Sequence, residues 1–224
     1  MASSPAQQPF RDRHHAGIEL AQSLSHYKGR RDVVVLALPR GGVPVAYEVA
    51  RTLEAPLDVF LVRKLGVPGH SELAMGAIAS DGVRVVSPDV VSWYNIPDEV
   101  IDAVAGREQV ELERRELAYR EGRPPLEVKD RVVMLVDDGL ATGASMKAAV
   151  QAVRAHGPSR IVVAVPVGSP DTCRELEDLA DEVACARTPE FLSAVGQSYA
   201  DFSQTTDEEV RELLHDAART VSSR

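Results

Sequence analysis

The chain has 224 residues, 44% of them hydrophobic, which suffices to bury an ordinary core and favours one domain, residues 1–224, over two independent units. Its formal net charge is −9 and no run of Lys or Arg stands out, so nucleic acid and anionic membrane surfaces are excluded as expected partners. Met1 to Phe10 is polar, and the longest apolar stretches, about six to eight residues, are too short to span a bilayer, so a cytoplasmic protein is expected. Cys173 and Cys185 form no Cys-x-x-Cys and no Cys/His cluster; they are expected to be reduced and partly buried rather than disulfide-bonded or zinc-bound.

In chain order, Gly17, Leu20, Ala21 and Leu24 form a helical stripe suited to pack on a sheet, with His14 and His15 read as surface residues. Val33 to Leu38 is a continuous, β-branched run without alternation, the pattern of a strand buried on both faces. After it, Leu38-Pro39-Arg40-Gly41-Gly42-Val43-Pro44 leads into a helix with Ala46, Val49, Ala50 and Leu53 on one face. Its glycines let backbone approach a ligand and Arg40 can meet an anion, though a plain strand-to-helix turn fits the same residues. Leu57 to Val62 is a further expected strand, ending at Arg63 and Lys64. Leu65 to Ala77 is Gly-rich and suited to open and close, with His70 and Glu72 as weaker acid–base candidates; Arg84 to Val86 is a weaker strand. Pro97 to Arg123 is strongly charged, with Glu111/Arg115 and Glu116/Arg120 at i,i+4 spacing, and reads as an exposed, inserted helix.

Val132 to Val136 is a second buried-strand run, followed by Asp137-Asp138-Gly139-Leu140-Ala141-Thr142-Gly143-Ala144-Ser145 and a helix faced by Met146, Ala149, Val150 and Val153. Two carboxylates at the carboxyl end of a central parallel strand stand where open α/β sheets bind ligands. Beyond them, hydroxyls, glycines and a helix N-terminus make a phosphate cradle. One segment thus offers acceptors for a diol and donors for a phosphate, the needs of a ribose 5-phosphate. A solvated strand end with an N-cap is the plainer alternative. There is no Gly-x-x-x-x-Gly-Lys-Ser/Thr and no Gly-x-Gly-x-x-Gly at the first helix, which argues against P-loop and dinucleotide sites. Ile161 to Val167 and Val183 to Ala186 complete an expected parallel sheet of five or six strands in an α/β fold. Residues 188–221 follow as a small C-terminal hood and helix. Here Glu190, Phe191, Tyr199 and Phe202 either stack a base, as the family resemblance given below implies, or, the more ordinary role for the aromatics, anchor the segment. Thr206 and Glu209 form a capping box ahead of Val210, Leu213, Leu214, Ala217 and Val221.

Four apolar residues, two acids and a Thr-Gly loop, Val133 to Ser145, resemble the phosphoribosyl-pyrophosphate signature of type I phosphoribosyltransferases. From about Asp12 to Asp216 the chain is similar to members of that family whose base is not established. The resemblance implies a parallel-sheet core flanked by helices, with a helical insertion at about 97–123 and a hood at about 188–221. It implies that Asp137 and Asp138 hold the ribose hydroxyls and that Ala141, Thr142, Gly143, Ala144 and Ser145 hold the 5′-phosphate. Arg40, Gly41, Gly42 and Lys64 are implied at the pyrophosphate, with Arg63 beside them, and Leu65 to Ala77 as the mobile loop. The implied partners are phosphoribosyl pyrophosphate and a small-molecule acceptor, a nucleobase; a homodimer is left open. The implied cofactor is Mg²⁺, held mainly through substrate with Asp138 as the one candidate protein ligand. Ala141 stands where 6-oxopurine enzymes carry an acid, and the loop is closer to adenine-type loops, whereas Pro39 to Gly42 is closer to bacterial xanthine-guanine enzymes; the base stays open. A regulatory module that senses the same ligand without catalysis is the alternative from another class. A phosphohydrolase or pyrophosphokinase-like enzyme has no recognisable motif here.

Overall fold

A computed structural model describes residues 8–79 and 82–222. The chain opens with helix α1 (Arg13–Ser23), strand β1 (Val33–Ala37), helix α2 (Gly42–Leu53) and strand β2 (Leu57–Val59). A second group follows: β3 (Val62–Val67), β4 (His70–Ala79), β5 (Arg84–Val86), α3 (Pro88–Trp93) and α4 (Asp98–Arg120). The chain then returns to β6 (Val132–Val136), α5 (Ala144–Arg154), β7 (Arg160–Val167), α6 (Pro170–Glu177), β8 (Glu182–Arg187) and α7 (Asp207–Ser222).

Five strands make a parallel sheet in the order β2-β1-β6-β7-β8. The unbroken apolar runs explain its two-sided burial. Val33, Val35 and Ala37 of β1 pack under α1, α2 and α7, together with Leu20, Val49, Leu53 and Val210. Val34 and Leu36 point the other way and join Val133, Leu135, Met146, Val150 and Val153 under α5. A strand covered on both faces has no position for a polar side chain, which is why these runs lack alternation.

Two expectations are corrected, and a third segment takes a defined form. Leu57 to Val62 is not one strand: the Phe60 N–H still donates to the Ala37 carbonyl at 2.9 Å, but β1 ends there. With no neighbour left to pair, the chain turns away and β3 starts a separate antiparallel sheet, β3-β4-β5, which also takes Arg84 to Val86. The Gly-rich stretch 65–77 is ordered as a hairpin turning at Pro68 and Gly69, where Gly69 has a φ of 81°. Helix α4 is exposed on one side only. Ile101, Val104, Leu112 and Tyr119 are buried, and Arg120 folds inward onto Asp58, its Nε 3.1 Å from both carboxylate oxygens. The i,i+4 pairs Glu111/Arg115 and Glu116/Arg120 are both formed.

The two cysteines are free, Cys173 buried and Cys185 half-buried. The capping box at α7 forms, with the Glu209 N–H donating to Thr206 Oγ1 at 3.1 Å. Among the described residues no helix is long and apolar enough to cross a membrane.

Candidate active site

Because β1 and β6 are parallel neighbours in register, Ala37 opposite Val136, the loops that leave them lie side by side. The contact is close. A Cβ on Gly42 would sit 2.7 Å from the Val136 carbonyl oxygen and 2.9 Å from Asp137 Cα, and one on Gly41 would sit 2.1 Å from Asp138 Oδ2. Only glycine lets the 39–42 loop touch the acidic pair in this way. The peptide between Pro39 and Arg40 is cis. Arg40 is about one-third exposed and faces Asp207 in the first turn of α7, with 3.7 Å between Nη1 and Oδ1. Tyr119 also donates its hydroxyl to Asp207, at 2.7 Å.

Each carboxylate of the pair has one oxygen engaged. Asp137 Oδ1 accepts the Asp138 N–H at 2.8 Å, and Asp138 Oδ2 accepts Arg13 Nε at 2.8 Å. Asp137 Oδ2 and Asp138 Oδ1 carry no such bond among the described residues, which leaves two acceptors, a number that suits a vicinal diol. Removal from water, and then the charge of Asp138, push the Asp137 carboxyl well above the usual Asp range. Asp138 is also raised by burial, against the pull of Arg13. A bound cation or a pair of hydroxyl donors would relieve that cost.

Past the acids, Leu140 rejoins the sheet through Gly168, and the Ala141 carbonyl accepts the Thr172 hydroxyl at 2.7 Å. Gly143 has a φ of 66° and caps α5, a backbone conformation that most L-residues resist. Thr142, Ala144 and Ser145 are exposed at the mouth, around the first turn of a helix that no side chain caps among the described residues. Such a turn offers backbone donors and the positive end of the helix dipole to a phosphate.

Of the basic candidates, Arg63 comes to the acids: with Pro39, Arg115, Asp137 and Ser145 it lines a cavity of about 90 Å³ and ion-pairs with Glu108. Lys64 does not. It lines, together with Arg63, a neighbouring cavity of about 410 Å³ between the β3–β4 hairpin and α4. His70 is exposed at the start of β4 with its ring against Tyr94, and the Glu72 side chain lies outside the described residues. His14 keeps a surface side chain, 41% exposed, with its Nδ1 3.0 Å from Glu48 Oε1, whereas His15 is half-buried and its Nδ1 accepts the Arg11 N–H.

Arg13 is the residue that sequence reading missed. Besides Asp138 it donates to the Ser203 carbonyl at 2.7 Å and stacks over Phe202 at 4.0 Å, which ties α1 and the 199–203 segment to the acidic pair. Tyr199 is buried against Phe10 and Phe202 and donates its hydroxyl to the Asp138 carbonyl at 2.6 Å. Burial, then the Asp138 charge, push the Tyr199 phenol upward, so it stays a donor. Tyr199 is thus an anchor, Phe202 packs on it and on Arg13 while keeping 38% of its surface exposed, and Phe191 and Glu190 are exposed. Tyr199→Phe is expected to cost about 1 kcal/mol of folding stability through the lost bond, as urea denaturation would measure.

The phosphoribosyl transferase domain family matches residues 11–200. Over 210 residues, 94% of this chain, it is 51% identical to a Mycobacterium tuberculosis protein named provisionally as a phosphoribosyl transferase. The chain spans about half of that relative, 47% of its length. It is 32% identical over 157 residues to the Bifunctional protein PyrR of Clostridium novyi, matching 70% of this chain and 67% of that one. The crystal structure of TT1426 from Thermus thermophilus superposes with a TM-score of 0.85 at 46% identity, covering 93% of this chain and 99% of the other. With both loops, the acidic pair and the helix start in one cleft, this chain belongs to the phosphoribosyl transferase family.

Proposed function

We propose that this chain transfers the 5-phosphoribosyl group of phosphoribosyl pyrophosphate to a nitrogenous acceptor, a nucleobase, and releases pyrophosphate. The observation that carries the reading is the contact of Gly41 and Gly42 with Asp137 and Asp138, since it sets a pyrophosphate loop against a diol site. Asp137 Oδ2 and Asp138 Oδ1 take the ribose hydroxyls, the backbone and hydroxyls of 141–145 take the 5′-phosphate, and the 40–42 loop takes pyrophosphate. Positive charge develops on the ribosyl carbon as the bond to pyrophosphate lengthens. Asp137 and Asp138 stand beside that charge, and Arg40 and Arg63 are near enough to offset the leaving group's. Lys64 joins them on the same anion if the hairpin that carries it closes over the cleft, which also excludes water.

Mg²⁺ fits this donor set. Among the described residues no group of three or more His, Cys, Asp or Glu gathers into a cage, and the two carboxylates suit a hard ion that keeps waters and takes its other oxygens from substrate, with Asp138 the candidate protein ligand. Bound there, the ion would neutralise pyrophosphate charge.

The test is incubation with Mg²⁺, phosphoribosyl pyrophosphate and a panel of nucleobases, with assay of pyrophosphate and of new nucleotide. The melting temperature should also rise, by the equivalent of about 2.7 kcal/mol at a hundredfold excess over Kd. Release of pyrophosphate with one base identifies the acceptor. A thermal shift without turnover on any base points to the sensing module, and no shift at millimolar ligand sinks both readings.

A further inference from the structure

A cavity of about 660 Å³ opens at the opposite edge of the parallel sheet, where Arg31 and Arg131 stand just before β1 and β6. Four guanidiniums line it, those of Arg30, Arg31, Arg51 and Arg131, although the chain as a whole carries a net charge of −9. Two of them are committed elsewhere. Arg30 is forked onto Asp32 at 3.0 and 2.6 Å, and Arg51 reaches Glu48 at 2.5 Å. Neither Arg31 nor Arg131 forms an ion pair within 4.0 Å among the described residues, although the Asp32 carboxyl, held low chiefly by its bond to Arg30, also feels the charge of Arg131. Arg131 Nη1 instead donates to the Arg31 carbonyl at 3.1 Å, which fixes the two stretches against each other at the rim. The one carboxylate in the lining, Glu54, lies 3.6 Å from Lys28. Below the arginines the wall is apolar, with Ala50, Ala55 and Ala217 beside the half-buried ring of Tyr47.

We propose that this cavity is a second anion site, for a phosphorylated small molecule of nucleotide size. Its volume lies within the roughly 300–1,000 Å³ usual for ligand pockets. Guanidiniums not tied up in an ion pair favour phosphate, whose oxygens accept two parallel N–H bonds from each fork. Arg31 and Arg131 hold the phosphate, and the rest of the molecule lies on Tyr47 and the alanine floor. The site is separate from the carboxyl-edge cleft and does not depend on the reading of that cleft.

The test uses the intact chain with adenosine monophosphate and inorganic pyrophosphate as probes, followed by hydrogen–deuterium exchange and equilibrium dialysis. Adenosine monophosphate should slow amide exchange at residues 29–31, 50–56 and 131. Arg31→Gln combined with Arg131→Gln should lower its affinity by at least about tenfold, the loss of one or more charge-assisted bonds, without changing the response to phosphoribosyl pyrophosphate. Glu54→Gln should raise it, since the change removes the only carboxylate of the lining while sparing the arginines. Protection confined to 137–145, no protection by either probe at millimolar concentration, or an affinity that neither variant moves would each overturn the proposal.

Discussion

Asp137→Asn with Asp138→Asn is expected to weaken phosphoribosyl pyrophosphate binding by roughly two orders of magnitude or more, measured by calorimetry or equilibrium dialysis. Each carboxylate offers one remaining oxygen, and each charge-assisted bond to a hydroxyl is worth about 1.5–3 kcal/mol. The change is nearly isosteric, so the strand end should stay folded and pyrophosphate alone should bind almost as before. A folded double variant that binds as tightly as the parent would make the pair structural and the assignment wrong. The single variant Asp137→Asn has a second, opposite consequence. An Asp with a folded pKa above its unfolded value binds more protons when folded, so stability falls as pH climbs from about 3.9 through the raised folded value. Asp137→Asn removes that penalty, and the unliganded variant should melt higher than the parent at neutral pH, with a flatter slope of melting temperature against pH. Loss of affinity and gain of stability should therefore appear in one molecule.

Arg13→Ala is expected to damage both folding and binding. It removes the cation beside Asp138, the donor to the Ser203 carbonyl and the stack on Phe202. Breaking a buried pair by deleting one partner costs about 3–5 kcal/mol, and because the two side chains keep 12% and 16% exposure the lower end applies. Without Arg13 only the Asp138 backbone N–H opposes the burial that raises both acids, so affinity for phosphoribosyl pyrophosphate should fall most at low pH and recover as pH rises. Arg13→Lys keeps the charge without the fork or the planar stack. It should restore much of the affinity and little of the stability. Unfolding curves and Kd values at two pH values check both; an Arg13→Ala protein with the parent's midpoint and Kd would remove Arg13 from the site.

The strand-loop-helix from Val132 to Val150 was legible because its signals are local: a β-branched run, two acids, glycines and a helical stripe within twenty residues. Arg13 was not, since it acts on a residue 125 positions away. A hint did exist, for Asp12 caps α1 by accepting the His15 N–H at 2.7 Å, and a capped helix start before a buried stripe aims its first turn at the edge of the sheet. The hairpin's strands were not legible for a different reason. Its many glycines read as freedom, while the buried Leu65, Val67, Met75 and Ala77 carried a period-two signal broken by the register shifts at Gly66. In α4 the density of charge masked a buried stripe, and only the fold shows that Arg120 is answered by Asp58.

Gly41 and Asp138 occupy what amounts to a single volume, so the two loops cannot vary independently. Any larger residue at 41 displaces the carboxylate, and with it the hold of Arg13 on the hood. A change there calls for a rotation of the Asp138 side chain or a shorter residue at 138, and either moves the carboxylate. Evolution or a mutational library must accept or reject these distant positions together.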